Sequence, residues 1–310
     1  MTLGNYDLLS SKKIVSFNKL VDEYFSIKKN NLSNATINRY NDYLRQFNFF
    51  FSKYFQYTLK DITLIKASYI AESIEYLTNK GTDEGRVWSA TTANSYRGLL
   101  ASIFKYAVKK SYIKNNPASE IPDKNVEKRI DAEFYSDEEI EKIINSSEEK
   151  WRLFYSFILK TGLRLGEMLN LKWENVVLNS NSSKIFIKSS DTWSTKTKKG
   201  RVIPLNNSAQ EIMKKQKEIS QKEFVFTDSN GSQIKENKPL YELKKTLKKL
   251  GINGNIHKFR HTFATKYISS GAGSLYDLKE LMGHKSIETT QIYAHLAEEY
   301  LRETLVKMDG

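Results

Sequence analysis

The sequence predicts a mainly α-helical protein in two parts: a four-helix N-terminal domain, then an α+β domain whose helices carry one small antiparallel sheet. Three observations predict it. Apolar residues recur at helical spacing in four stretches of the N-terminal half, with no convincing strand among them. A charged run preceded by two prolines then interrupts the pattern. Beyond it, helical patterning gives way once, to short alternating segments around a Lys-Lys-Gly turn.

The first helix covers Ser16 to Lys28, with Phe17, Leu20, Val21, Tyr24 and Phe25 at helical spacing. The second starts near Asn34, capped by Ser33, and carries Tyr40, Tyr43, Leu44, Phe47 and Phe51. A third spans about Lys66 to Asn79. A fourth begins after Ser89 and presents Tyr96, Leu99, Leu100, Ile103, Phe104 and Ala107. The aromatic cluster Phe47, Phe49, Phe50, Phe51, Tyr54 and Phe55 is read as core or protein-interface packing, because proteins that bind duplex DNA rarely expose bases for stacking. Pro117 and Pro122 close this domain, assigned to residues 1–122, and the charged segment 123–130 is the linker.

In the second domain, residues 131–310, Ser136-Asp-Glu-Glu opens a helix and Trp151 to Thr161 forms another. Gly162 marks a bend before Arg164 to Leu171. Lys184 to Lys188 alternates as a strand does; Asp191 to Lys196 and Arg201 to Leu205 read as two more, joined through Lys198-Lys-Gly. From Leu240 to about Val306 the pattern is helical again.

Composition narrows the function. There are no cysteines, which excludes disulfides, thiolate zinc sites and cysteine nucleophiles together. The longest apolar runs, such as Phe49 to Phe51, fall far short of the roughly 20 residues of a membrane span. Lys12 and Lys13 precede no apolar stretch of the signal-peptide kind, and a cytoplasmic location is expected. The net charge is +13, and it is spread along the chain. Residues 1–125 hold 18 Lys and Arg against 11 Asp and Glu, or +7, and the remainder 31 against 25, or +6. A polyanion such as nucleic acid fits that balance; so does a composition bias toward Lys, Asn, Ile and Tyr.

The four histidines, His257, His261, His284 and His295, all fall in the last 54 residues. In His257-Lys-Phe-Arg-His261, positions 257, 260 and 261 share a helix face, which sets an imidazole beside a guanidinium, a pairing suited to an oxyanion. The same i,i+4 histidines have zinc-helix spacing, but Lys258 stands where that motif needs its Glu and Arg260 would repel the cation, so no metal site is assigned. His261 is read as a packed, hydrogen-bonded residue in a supporting role. In Thr161-Gly-Leu-Arg-Leu-Gly-Glu167, the carboxylate of Glu167 can brace the fork of Arg164. Lys196, Lys198 and Lys199 lie at the hairpin tip, and Tyr293 follows His284 by nine positions within a helical segment.

Taken together, Thr-Gly-Leu-Arg-x-x-Glu, a hairpin lysine five residues before Arg201, His-x-x-Arg-His, Leu-x-Gly-His and Thr-x-x-x-Tyr resemble, in order and spacing, the tyrosine recombinase family of phage integrases and Xer-like enzymes. The resemblance spans about Phe134 to the C-terminus and, more loosely, the helical N-terminal half. It implies a SAM-like core-binding domain and a catalytic domain that clamp duplex DNA. It also implies a metal- and ATP-independent attack by the Tyr293 hydroxyl on a phosphodiester, giving a 3′-phosphotyrosyl bond and a free 5′-hydroxyl, with no cofactor. On that basis Arg164, Arg260 and His284 stabilise the phosphate, His257 is the general base and Lys196 the general acid, while Glu167 and His261 support. The distance to Arg201 selects Lys196 over Lys198 and Lys199, a choice that depends on hairpin register. Lys198, Lys199, Arg201 and Lys258 are expected to contact DNA.

The partners so implied are double-stranded DNA bearing a specific recombination site and three further copies of the chain, with a monomer in free solution. Leu301, Leu305 and Tyr300 form an apolar stripe that either packs on its own domain or, as in the family, docks on a neighbouring protomer. Only about 15 residues precede the first helix, which favours a Xer-like or simple-element enzyme over an integrase with an added arm-binding domain. The rivals are a type IB topoisomerase, which would relax plasmids without sequence preference, and a non-catalytic DNA-binding derivative, which would not need the full catalytic set.

Overall fold

The computed structural model describes residues 14–126, 133–179, 182–189 and 200–298. The chain divides into two compact units, Met1–Lys128 and Arg129–Gly310. No described helix is long and apolar enough to cross a membrane.

The first unit packs α1 (Phe17–Lys28), α2 (Asn34–Tyr54), α3 (Ala67–Asn79) and α4 (Ala90–Lys109). Ser16, Ser33 and Ser89 cap α1, α2 and α4, each accepting from the backbone N–H three residues on and so satisfying a donor the helix leaves open. The aromatic cluster of α2 is core: Phe17 stacks on Phe47 and Phe47 on Phe51, each pair at 4.0 Å between centroids. Asp123 and Lys124, assigned to the linker, are fastened to the bundle. Asn94 exchanges two hydrogen bonds with the backbone of Lys124, and Arg97 donates to Asp123 at 2.8 Å.

The second unit opens with α5 (Asp137–Ser146), set by a Ser136/Glu139 capping box, and α6 (Glu149–Thr161), which packs on α10 and α8 through the core. After α7 (Leu165–Leu169) comes a three-stranded antiparallel sheet, β1 (Val176–Val177), β2 (Lys184–Ile187) and β3 (Arg201–Pro204), in that order. Ile185 lies opposite Ile203, and Ile187 opposite Arg201. The sheet differs from expectation at one edge. β1 supplies the third strand, two residues being too short to show any period; the expected strand Asp191–Lys196 lies outside the described residues.

The helices α8 (Asn207–Ile219), α9 (Asn237–Leu250), α10 (Ile256–Ser269) and α11 (Leu275–Met282) complete the fold. α8 was not anticipated, because its buried stripe, Ala209, Met213 and Gln216, contains one strongly apolar side chain. The helical stretch that begins near Leu240 is interrupted among the described residues: Gly251 and Gly283, at φ +67° and +61°, terminate α9 and α11, and tight turns follow through Tyr293.

Candidate active site

Gly162 begins the site. Its left-handed conformation (φ +64°) ends α6, and a Cβ there would stand 2.4 Å from the Phe263 ring, so no other residue can make this turn at this place. The turn aims the Gly162 carbonyl at Arg260 and delivers Arg164 to the start of α7. Glu167, 2% exposed, reaches back to the Arg164 backbone N–H (2.9 Å) and accepts from Arg164 Nη1 (3.1 Å). Burial works to raise the Glu167 carboxyl, but hydrogen bonds and charge from Arg201, then Arg164, hold it below the ordinary carboxylate range. It is therefore a fixed anion at neutral pH.

Arg260, 5% exposed on α10, donates to the carbonyls of Gly162 and Met282 and to Nε2 of His284, the last at 3.1 Å. Burial first, then Arg164, pulls its pKa down to about 9, so it remains a cation near neutrality. Because a guanidinium only donates, His284 Nε2 is the acceptor, and the imidazole proton sits on Nδ1, 2.9 Å from the Thr290 hydroxyl. Burial, Arg260 and Arg164 drive the His284 pKa down to about 3, which agrees with that neutral ring. Arg164 Nη2 donates to the Gly283 carbonyl at 2.9 Å.

Tyr293 is 1% exposed, packed with Ala264, Ile268, Leu278 and Met282. Its hydroxyl lies 2.5 Å from Nδ1 of His261, and its backbone N–H is held by the Thr290 carbonyl at 3.0 Å. Burial pushes the phenol above its ordinary pKa while Arg260 pulls it back, so it stays protonated. His261 is lowered by burial, then by His257 and Arg260, and is a neutral acceptor at working pH.

Of the residues singled out in the sequence, the structure pairs Arg164 with Glu167 and Arg260 with His284, brings the two pairs together on the consecutive carbonyls of Met282 and Gly283, and sets Tyr293 on His261 beside them. His257 is exposed in the first turn of α10, and Lys258 folds back, its ammonium on the Asn253 carbonyl and 4.7 Å from the Tyr135 ring centroid. Lys196, Lys198, Lys199 and the tail residues Tyr300, Leu301 and Leu305 lie outside the described residues. Arg201, expected among the DNA contacts, is turned into its own domain: its side chain is 9% exposed and every nitrogen of its guanidinium is bonded inward. The signal was available, since Arg201 and Ile203 share one face of β3 and Ile203 is core. Thr290 was missed; nothing in Thr-Thr-Gln-Ile-Tyr separates it from its neighbour.

The geometry is that of an anion site beside a buried phenol. Residues 133–300 match the model described as the phage integrase family, and residues 16–124 the phage integrase SAM-like domain. The chain belongs to the phage integrase family of tyrosine recombinases. Its activity is site-specific DNA recombination. Among relatives of this family, the tyrosine recombinase XerC of Natranaerobius thermophilus is 28% identical over 314 residues, covering 94% of this chain and 98% of its own. Two solved integrases share the fold. The Tn1549 transposon integrase in complex with transposon right end DNA superposes with a TM-score of 0.73 at 18% identity, over 94% of this chain and 99% of that one. The phage lambda integrase, as a tetramer bound to a Holliday junction, gives 0.70 at 21% identity, over 90% and 80%.

Proposed function

We propose that Arg164, Arg260 and His284 hold the scissile phosphate of a duplex recombination site while Tyr293 attacks it. The observation that carries this is the convergence of two arginines and a histidine, with Glu167 as their buried carboxylate, beside the phenol of Tyr293. The Tyr293 oxygen forms a bond to phosphorus and the bond to the 5′-oxygen breaks. The phenol proton passes to an imidazole, and Lys196 protonates the leaving oxygen. The phosphodiester energy is kept in the phosphotyrosyl bond, so rejoining by a 5′-hydroxyl needs no ATP. Charge building on the non-bridging oxygens meets fixed donors, and losing one such donor costs about 2.7–4 kcal/mol of barrier. An oxygen anion there would also counter the guanidiniums that depress His284, restoring it as a donor.

The family resemblance makes His257 the base. A second assignment rests on the structure's own contact: His261 is hydrogen-bonded to the Tyr293 hydroxyl.

Guanidiniums take the place metal ions hold in other phosphoryl-transfer sites. A nicked suicide duplex, from which the 5′-hydroxyl strand diffuses away, is expected to trap a covalent protein–DNA adduct in EDTA at the same rate as in Mg²⁺. Adduct that forms only with Mg²⁺ contradicts the proposal. Plasmid relaxation without sequence preference would favour the topoisomerase chemistry instead.

We further propose that four protomers join two DNA sites, that the free protein is a monomer, and that it works in the cytoplasm on either chromosome-dimer resolution or the integration and excision of a mobile element. Truncation after Ala297 is expected to weaken pairing of two sites in gel-shift assays more than occupancy of one; equal loss of both would count against the tail as the link.

A further inference from the structure

Arg201, which opens β3, has three separate attachments. Nε donates to the Leu281 carbonyl at 2.8 Å, and Nη1 and Nη2 donate to the two oxygens of Glu167, each at 2.7 Å. The paired bonds fix the plane of the carboxylate as a single lysine contact cannot. The Leu281 bond belongs to a larger pattern. Leu281, Met282 and Gly283 end α11, where carbonyls lack intrahelical partners, and each accepts from a different guanidinium: Arg201, Arg260 and Arg164 in turn. His284 is the next residue.

Electrostatics explains the arrangement. Three guanidiniums are gathered around one carboxylate, and the end of α11 contributes about half a negative charge more. The surplus of about one and a half positive charges matches an arriving phosphodiester, which carries one negative charge and gains more in the transition state. Without Arg201, Glu167 would retain Arg164 alone, and the α11 terminus would lose one of its three supports.

Gly283 is an independent sign of the same constraint. It sits at φ +61°, and a Cβ on it would lie 2.8 Å from Arg201 Nη1. The glycine before His284 is thus required by its conformation and by the close approach of Arg201.

We infer that Arg201 is a positioning residue of the phosphate site: by clamping Glu167 and the end of α11 it fixes the fork of Arg164 and the place of His284, without touching DNA. The inference rests on the phosphate-holding roles proposed above for those two residues.

The test uses full-length R201Q and R201K in single-turnover cleavage of the suicide duplex, with duplex affinity measured alongside. R201Q is expected to cleave about 10- to 100-fold more slowly, the scale on which removing an orienting partner acts at metal sites. Duplex affinity should stay within about threefold of wild type, because no phosphate contact is lost. R201K should recover part of the rate. The decisive comparison is a duplex with an uncharged methylphosphonate at the scissile position, where the clamp has less charge to hold: the R201Q deficit should shrink there. A duplex affinity that falls as far as cleavage would make Arg201 a DNA contact and overturn the inference. So would unchanged cleavage, or an equal deficit on charged and uncharged duplexes. If R201Q does not fold, R201K and G283A, which crowds the same guanidinium, carry the same comparison. Absence of a Tyr293 adduct in wild type would instead refute the reading of the site itself.

Discussion

Tyr293→Phe is expected to abolish the covalent adduct completely while leaving the fold and duplex binding in place. The substitution keeps the ring that fills the space among Ala264, Ile268, Leu278 and Met282, and removes only the oxygen that bonds His261. Loss of that hydrogen bond costs about 0.5–1.5 kcal/mol, which for a unit of this size lowers Tm by only a few degrees. An adduct surviving in Y293F would mean that another side chain is the nucleophile. The same assay separates the two imidazoles. His261→Asn retains a side-chain acceptor but no basicity, and if His261 receives the phenol proton, cleavage falls about 10²–10⁴-fold with duplex affinity unchanged. In that case the rate in wild type follows the deprotonation of His261, whose pKa lies below the ordinary 6.5, so the rate falls only when pH drops beneath that value, and this limb vanishes in H261N. A loss of the same size in His257→Ala, with H261N unaffected, would return the role to His257.

Much of this was legible in the sequence, and where it was not, the reasons are local. Ser16, Ser33, Ser89 and Ser136 announce helices because a cap is a one-residue signal, readable without tertiary information. Gly162 was legible as a bend, but what it and Gly283 permit, the close approach of Phe263 and Arg201, is a fact of packing. β1 is two residues long and α8 hides its inner face behind Gln216, whose amide bonds the Val225 carbonyl. The helix-face reading of α10 grouped His257, Arg260 and His261. Burial instead follows Ile256, Phe259, Arg260 and Ala264, leaving His257 exposed and His261 at the boundary where it meets Tyr293. Arg201 is the most instructive case. Basic residues near a hairpin look like DNA contacts, yet strand alternation from the core residue Ile203 already turned this one inward.

Arg260 is where stability and catalysis are hardest to separate, because its replacement is expected to lower both. Its guanidinium joins the turn after α6 to the end of α11 and also holds His284, all from a nearly inaccessible position. Arg260→Ala leaves the Gly162 and Met282 carbonyls without this donor, at about 1–3 kcal/mol for each buried group left unsatisfied, and removes a clamp on the phosphate worth about 10²–10³ in rate. Arg260→Lys divides the two effects. A lysine ammonium is a compact point charge and lacks the planar fork that serves Gly162, Met282 and His284 together. R260K should therefore regain part of the thermal stability lost in R260A yet cleave within about tenfold of R260A. His284 supplies a signature that stability alone would not give. Arg260 follows burial as the next largest cause of its low pKa, so R260A should raise the pKa of this ring, an upward shift readable by NMR titration of its imidazole. If R260K cleaved at the wild-type rate, a point charge would be enough at that place, and the role assigned to the fork of Arg260 would be wrong.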